Sequence, residues 1–432
     1  MHVGIDFGTS NTAVALAEAG GDVRFLEFSL LGATTQSFRS LLYFDPEEQD
    51  VRTSINFHAG TGAIEAYLEA MGEGRLVQSF KTHLTTESLG RTQIGHHAIS
   101  LDDMLMLFFS RLREHITEAW GETPDEVTLG RPVRFAGADD DAGSLAAQAR
   151  LEAAAQRSGF KTVGFELEPI AAAYHYERML DKPELALVAD FGGGTTDFCL
   201  MRLGGPRSGR GRRDDIVATG GVGVAGDDLD AAIIEHVVSP ELGKGTRYRE
   251  MGREKAVPSS YYYKLSRWHH LSFLRGKRVR AELERLHRAA LEPEKIEAFI
   301  HVLENNQGFH LHKAVERLKI ALSEEEEASF RFDDDPVEIE TRVQRTDFER
   351  WIEPCVSAIT TGLDETLAHA GLAPDAVDRV FMTGGTAFVP CVRRQFEQRF
   401  GAEKLSGGDE LMSIASGLAV REGTQDSAAS AE

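Results

Sequence analysis

The stretch Val3–Leu16 (VGIDFGTSNTAVAL) is repeated later in the chain as Leu187–Leu200 (LVADFGGGTTDFCL), at a constant offset of 184 residues. The offset aligns Asp6 with Asp190 in the sequence. In each copy an apolar strand leads into Asp-Phe-Gly, then into small residues and a second strand, which predicts a β-hairpin with a Gly/Ser/Thr tip. Such a tip offers backbone N–H groups, hydroxyls and room for close approach, as a phosphate-binding loop requires. Two such tips facing each other across a cleft could hold the phosphates and the metal ion of a nucleotide.

Composition indicates a folded globular protein without a targeting segment. The 432 residues are 42% hydrophobic and 27% charged, enough for two domains or one large bilobal core. The N terminus reads as a strand, and no apolar run reaches membrane-spanning length. The three cysteines, Cys199, Cys355 and Cys391, show no metal-like spacing, which fits a reducing compartment. We expect a cytoplasmic protein.

The net charge argues against two classes of partner. At −22, the chain repels nucleic acid phosphates and anionic lipid headgroups, so we expect no nucleic acid and no membrane partner.

Strand and helix signals follow the same order in both halves, which predicts two similar α/β lobes around a ligand cleft. We expect a first lobe over residues 1–184, a second over 185–404 and a C-terminal helix, 405–421, that returns to the first lobe. The charged, helical-period sequence at about 240–322 predicts a mostly helical insert in the second lobe, and 422–432 reads as a disordered tail.

One long helix is also expected near the end of the second lobe. Asp347–Ala370 has helical periodicity, and Thr346 and Glu349 have the spacing of a capping box before it.

With these motifs, the chain resembles the nucleotide-binding domain of the seventy-kilodalton heat-shock proteins (DnaK type), within the actin-like ATPase superfamily that also contains sugar kinases. The most specific motif is Asp190–Asp197 (DFGGGTTD), which rarely arises from turn chemistry alone. The motifs keep the family's order from residue 3 to residue 421. The resemblance implies a duplicated actin-like ATPase (ribonuclease H-like) α/β fold, with ATP or ADP and Mg²⁺ bound between the lobes.

The resemblance also implies which residues would handle phosphate and metal. Asp6 and Asp190 would hold the hydrated metal ion, which needs only one or two protein carboxylates beside the phosphates. Lys81, in QSFKT, falls where the family has a lysine that reaches the γ-phosphate and the attacking water. Glu168, in EPIAAA, would orient water or metal ligands, and Thr195 would place a hydroxyl near the transferred group. The implied phosphate-binding residues are Gly8, Thr9, Ser10, Asn11, Gly192, Gly193 and Gly194, and Gly226 would lie beside the nucleotide.

The adenosine side is implied by three later segments. Ribose contacts would come from Glu316 and Lys319, and a base contact from Ser323. A second glycine turn would lie under the α-phosphate and adenosine, and a second connecting motif would precede the last helix; their residues are Gly384, Gly385, Thr386 and Asp409.

The chain departs from the family pattern in two respects. Peptide-binding members stack two arginines on the adenine, whereas the matching positions here are Ile320 and Phe388, an aliphatic and an aromatic contact without cationic character. No apolar linker or β-rich peptide-binding domain follows Arg421, so we expect any client or co-chaperone to be bound by the lobes themselves. The candidate surface is the insert, with Tyr261–Tyr263 and Trp268–His270, although such aromatic residues more often pack the insert's own small core.

Four functions fit this sequence. The first is a chaperone-like ATP-binding protein that hydrolyses ATP slowly and works as a nucleotide-gated two-lobe switch. The others are a small-molecule kinase of the same superfamily, an actin-like scaffold or filament protein, and a protein that binds nucleotide without turnover.

Overall fold

Strands and helices alternate in two successive halves of the chain. The computed structural model describes residues 2–420 except 19–21, 46–54, 71–72, 87–90, 95–96, 136, 139, 178–179, 181, 205–211, 268–270, 275, 306 and 407–412. The elements of the first half are β1 His2–Phe7, β2 Asn11–Ala17, β3 Val23–Phe25, β4 Phe28–Leu30, β5 Ala33–Thr35, β6 Phe38–Arg39, β7 Leu41–Phe44, β8 His58–Ala59, α1 Gly60–Glu69, β9 Arg75–Gln78, β10 Thr92–Ile94, β11 His97–Ile99, α2 Leu101–Trp120, β12 Glu126–Arg131, α3 Asp141–Arg157, β13 Thr162–Leu167 and α4 Glu168–Glu177. Those of the second half are β14 Glu184–Phe191, β15 Thr196–Leu203, β16 Ile216–Val222, α5 Gly226–Ile233, β17 Arg247–Glu250, β18 Arg253–Ala256, α6 Ser260–Ser266, α7 Leu271–Leu274, α8 Lys277–Ala289, α9 Pro293–Glu304, α10 Gly308–Glu324, β19 Glu327–Asp334, β20 Val337–Gln344, α11 Arg345–Trp351, α12 Glu353–Ala370, β21 Arg379–Thr383, α13 Pro390–Phe400, β22 Leu405–Ser406 and α14 Ser413–Val420.

Both repeated stretches form the predicted hairpins. β1 pairs antiparallel with β2, with Asp6 opposite Ala13, and β14 pairs antiparallel with β15, with Asp190 opposite Asp197. The offset of 184 residues therefore holds for the strand register as well as for the sequence.

The two main sheets have matching topology. The first runs β13-β12-β1-β2-β3, with β6 also paired to β2, and the second runs β22-β21-β14-β15-β16. In each, the first strand of the hairpin lies parallel to the strand on its other side, β12 or β21. These matching α/β halves agree with the expected duplicated fold.

The pattern of buried residues on the first strand of each hairpin repeats at the same offset of 184 residues. On one face of the first sheet, Val3, Ile5 and Phe7 pack in a core formed with α2 and α3. Their counterparts Leu187, Ala189 and Phe191 pack in the core of the second half, so alternate residues of each central strand point to the same side of their sheet.

The opposite faces of the two sheets are covered by helices exchanged between the halves. α4, which follows the first sheet, packs Ile170 and Ala173 against the second. α14, which follows the second sheet, packs Ala415 and Ala419 against the first. The two helices meet where a Cβ on Gly417 would lie 1.8 Å from the carbonyl oxygen of Ala171, so the lobes are joined at a crossing that only glycine allows.

The insert is mostly helical, as expected, and contains one hairpin that was not predicted, β17–β18. Two expectations near the end of the second lobe were wrong. The segment Asp347–Ala370, expected to be one helix, is divided into α11 and α12, because Pro354 lies in the first turn of a new helix. Its expected capping box does not form: α11 begins after Gln344, and the Glu349 carboxylate accepts from Arg394 Nη2 at 2.6 Å.

Within the described residues, no helix combines the length and apolar character needed to cross a bilayer. The expected tail, 422–432, lies outside them.

Candidate functional site between the two lobes

The tips of the two hairpins have the same backbone geometry. The Gly8 N–H donates to the Asn11 carbonyl at 2.9 Å, and the Gly192 N–H donates to the Thr195 carbonyl at 2.9 Å. A Cβ on Gly8 would lie 2.3 Å from the Asn11 oxygen, so this tight turn requires glycine.

The two tips lie side by side. An ideal Cβ on Gly193 would be 3.1 Å from Ser10 Oγ of the opposite hairpin and 3.3 Å from Asp227 Oδ1. The N terminus of α5 is tied to the same tip, because the Asp227 N–H donates to the Gly193 carbonyl at 2.8 Å and the Gly226 N–H to the Gly192 carbonyl at 3.3 Å. The second tip is thus held between the first tip and a helix N terminus.

A cavity of about 950 Å³ opens beside the tips, between the two lobes. With one exception, every residue predicted for the site lines it. The lining residues from that set are Asp6, Gly8, Thr9, Ser10, Asn11, Lys81, Glu168, Asp190, Gly192, Gly193, Gly194, Thr195, Gly226, Glu316, Lys319, Ile320, Ser323, Gly384, Gly385, Thr386 and Phe388. The exception, Asp409, lies outside the described residues.

At the inner end of the cavity one ammonium group lies among several buried carboxyl groups. Lys81 Nζ lies 2.7 Å from Glu168 Oε1, and the two side chains are only 12% and 6% exposed. The charges of Asp6 and Asp190 also act on Lys81, and Asp197 is buried. Four carboxyl groups around one lysine leave an excess of negative charge when all of them are ionised.

Burial shapes the protonation of this cluster. It raises the pKa of the Asp6 carboxyl to about 8, and the carboxylates of Glu168 and Asp190 add to the rise. It likewise raises the pKa of Asp197 to about 8, again with contributions from Asp190 and Glu168. Burial opposes the charge of Lys81, but Glu168 and Asp6 outweigh it and raise the pKa of the ammonium group. The site therefore favours an added cation, because a cation would let these carboxyl groups ionise.

The donor set fits a hydrated divalent ion better than a direct cage. Among the described residues, no three His, Cys, Asp or Glu side chains come close enough together to hold a metal ion directly. Mg²⁺ keeps several of its waters and takes one or two carboxylates beside phosphate oxygens. Asp6 and Asp190 are the carboxylates that end the two matching strands, and both line the cavity.

Sequence reasoning missed two residues of this cluster. Asp197 lies directly opposite Asp190 in the hairpin, and directly opposed residues of an antiparallel pair share a face, so the register alone could have identified it. Thr383 at the end of β21 donates its hydroxyl to Asp190 Oδ1 at 2.5 Å. The Thr195 hydroxyl, predicted to lie near a transferred group, donates to Asp197 Oδ2 at 3.1 Å.

The outer part of the cavity is lined by α10 and the turn after β21. Ile320 and Phe388 are 54% and 53% exposed, so each has an apolar surface free for contact. Lys319 Nζ pairs with Asp230 Oδ1 at 2.8 Å, and Ser323 Oγ donates to the Lys319 carbonyl at 3.0 Å.

The second glycine turn comes close to the first strand of its own lobe. Gly384 has φ +84°, and a Cβ there would lie 2.0 Å from the Phe191 carbonyl oxygen. Any side chain at this position would separate the turn from the end of β14.

A polar link connects the lobes across the cavity. Arg39 of the first lobe donates from Nη1 to Asn11 Oδ1 at 2.8 Å, and its Nη2 lies 3.6 Å from Glu316 Oε2 of α10. Glu316 also pairs with Lys313, one turn earlier on the same helix. Neither Arg39 nor this link was predicted.

Comparison with known proteins shows similarity to two protein families and to many curated proteins. The family model for Hsp70 protein matches residues 285–429, and the model for MreB/Mbl protein matches residues 112–246. Chaperone protein DnaK of Elusimicrobium minutum (strain Pei191) is 24% identical over 440 aligned residues, which cover 98% of this chain and 57% of that relative. The chain thus spans little more than half the length of this relative. These matches, together with the duplicated sheets, support an Hsp70-type domain with the actin-like ATPase fold.

Proposed function

We propose that this protein is chaperone-like, binds Mg-ATP between its lobes, hydrolyses it slowly and works as a nucleotide-gated two-lobe switch. The single observation that carries the proposal is the meeting of the two hairpin tips, where Gly193 lies against Ser10 beside the buried cluster around Lys81. Backbone N–H groups at such tips suit phosphate oxygens, and glycine lets the phosphates approach the backbone.

Four side chains of the cluster then have roles. Lys81 brings a fixed positive charge to the inner end of the cavity, where charge develops as the terminal phosphoryl group is transferred. Glu168 orients Lys81 and accepts a hydrogen bond from an attacking water. Asp6 and Asp190 hold the waters of the metal ion, and bound Mg²⁺ supplies the charge neutralisation that phosphate oxygens require.

The proposed switch acts through the exchanged helices. Nucleotide contacts on both lobes favour a closed cleft, and the crossing of α4 and α14 lets the lobes rotate while they stay joined. Gly417 and Ala171 are the contact about which this rotation would occur. A protein client or co-chaperone would bind a lobe surface that this rotation alters.

We also propose a cytoplasmic location, since none of the three cysteines forms a disulfide.

Ligand-dependent unfolding and phosphate release test the proposal together. Mg-ATP at about 100 times its Kd should stabilise the protein by about 2.7 kcal/mol, and chelation of Mg²⁺ should remove most of that gain. Lys81→Ala should keep nucleotide binding while lowering hydrolysis at least about a hundredfold. Absence of stabilisation by Mg-ATP would refute nucleotide binding, and equal, negligible hydrolysis by wild type and Lys81→Ala would leave binding without turnover. ATP-dependent phosphorylation in a panel of sugars would instead favour the kinase.

A further inference from the structure

The overall charge of the chain conceals a segment of the opposite sign. Residues 244–291 contain thirteen lysines and arginines against four glutamates, a formal charge of +9, within a chain of −22. The remaining residues therefore carry −31. Charge reversal on this scale within one stretch is a feature that the whole-chain total cannot report.

The structure gathers much of this charge on one small surface. The hairpin β17–β18 and helix α8 contact each other, and Arg285 Nη1 of the helix lies 3.7 Å from Glu250 Oε1 of the hairpin. The N–H of Leu291, after α8, donates to the Arg247 carbonyl at 2.8 Å, which fixes the hairpin against the helix. We call the outer side of β17, β18 and α8 the basic surface.

Helix α8 of the basic surface is held in place by contacts with the core of the second half and with α6. Leu283 and Leu286 are buried in the core of the second half, and Tyr261 of α6 donates its hydroxyl to Glu282 Oε2 at 2.9 Å. Of the tyrosines considered as a partner surface, Tyr261 and Tyr262 are buried and Tyr263 is exposed. Trp268–His270 lie outside the described residues. The arginines are therefore carried on a fixed support.

The arginine side chains of the basic surface are more exposed to solvent than the glutamate side chains that pair with them. Arg278 is 91% exposed, whereas its partner Glu282 is 37% exposed, and Arg249 is more exposed than its partner Glu254. Such exposed pairs contribute little to stability. Their guanidinium groups stay accessible to a second carboxylate, for which Arg has spare donors.

Apolar side chains are also exposed within this segment of the chain. Of the seven large hydrophobic residues exposed in the described part of the chain, three belong to residues 244–291: Met251, Tyr263 and Leu291. Met251 lies at the tip of β17–β18 and is 98% exposed. Exposed apolar groups next to arginine are typical of protein interfaces, whereas contact with phosphates does not need them.

We propose that the basic surface binds an acidic segment of a partner protein that also carries apolar side chains. The thirteen residues of α8 extend over about 20 Å, enough for a short peptide. A nucleic acid or a lipid bilayer would extend beyond this surface onto the rest of the molecule, which carries −31, and its phosphates would be repelled there. A compact acidic segment avoids that repulsion because charges more than about 8 Å away are screened at physiological salt.

This proposal rests on the proposed function, in which a surface of the lobes binds a partner protein, and its test needs no nucleotide. The probe is a fluorescein-labelled peptide of Asp-Leu-Glu repeats, about the length of α8, titrated with the full chain in fluorescence anisotropy. We expect saturable binding that weakens as salt is added. Arg249→Ser/Arg278→Ser should weaken it about tenfold, equivalent to about 1.4 kcal/mol. Met251→Asn, which suits the positive φ of 50° at this tip, should weaken it about threefold without changing the salt dependence.

The matched control removes two arginines of similar exposure outside the basic surface, Arg331→Ser/Arg342→Ser on β19–β20. This variant should bind the peptide within about twofold of wild type. Three results would each overturn the proposal: no binding of the peptide, equal weakening by the two double variants, or tighter binding of a single-stranded oligonucleotide or of phosphatidylserine vesicles than of the peptide. A negative ATP-binding result would leave the peptide titration interpretable, so the two proposals fail separately.

Discussion

Replacing Lys81 by Met should destabilise the protein mainly by leaving Glu168 buried without a partner. The two charges are 2.7 Å apart and almost fully buried, and removing one member of such a pair typically costs about 3–5 kcal/mol. Glu168→Gln should cost less, about 1–2 kcal/mol, because its amide oxygen still accepts from Lys81 and the carboxylates of Asp6 and Asp190 still favour the ammonium charge.

The double variant separates charge from packing. With Met beside Gln neither member of this pair carries a charge, so Lys81→Met/Glu168→Gln should be more stable than Lys81→Met alone by about 2 kcal/mol. The measurement is urea unfolding followed by circular dichroism near pH 7.5. The loss caused by Lys81→Met should also shrink as the pH falls, because Glu168 then takes up a proton.

A lysine elsewhere in the chain provides the control. Lys161 pairs with Asp125 at the same distance of 2.7 Å, but the two side chains are 74% and 52% exposed. Lys161→Met should therefore change stability by less than about 1 kcal/mol. If the two variants at the buried pair were additive within about 0.5 kcal/mol, or if Lys81→Met cost no more than Lys161→Met, the account of the buried cluster would be refuted.

Three further outcomes are expected. Gly417→Ala should cost about 1–3 kcal/mol or more in thermal unfolding, because its Cβ would overlap the Ala171 carbonyl, whereas Gly62→Ala, where a Cβ meets nothing within 4 Å, should be neutral or stabilising. Burial lowers the pKa of His312 to about 4, so the unfolded chain takes up a proton at this histidine before the folded chain does. About 3 kcal/mol of stability should therefore be lost as the pH falls from about 6.5 to 4. His312→Gln should remove that part of the acid dependence of stability, and an unchanged pH profile of unfolding would contradict the shift. Phe388→Arg should raise ATP affinity about three- to tenfold in calorimetry by adding a cationic contact to adenine, and an unchanged or weaker affinity would show that this side chain does not face the base.

Sequence alone predicts the features that depend on local pattern. The two hairpins follow from apolar strands that flank glycine-rich tips, and the matching order of elements follows from their repetition. The hairpin β17–β18 could not be predicted, because its sequence RYREMGREKA lacks the apolar alternation that indicates a half-buried strand. The site residues could be assigned only through the resemblance to a family, since the cavity joins groups that are up to several hundred positions apart in the chain.

The two lobes have matching backbone folds but different side chains at the site, and this difference explains how a duplicated fold can carry one asymmetric site. Each tip is closed by the same N–H to carbonyl bond, so its shape does not depend on the side chains around it. At the position opposite the strand-end aspartate, the first lobe has Ala13 and the second has Asp197. The hairpin of the second lobe therefore brings two carboxyl groups to the cavity, where the hairpin of the first brings Asp6 alone. Burial and repulsion from Glu168 and Asp190 raise the pKa of Asp6 and Asp197 to about 8. In the proposed switch, a cation bound between the lobes would let both groups ionise, and cation binding would thereby favour the approach of the two tips.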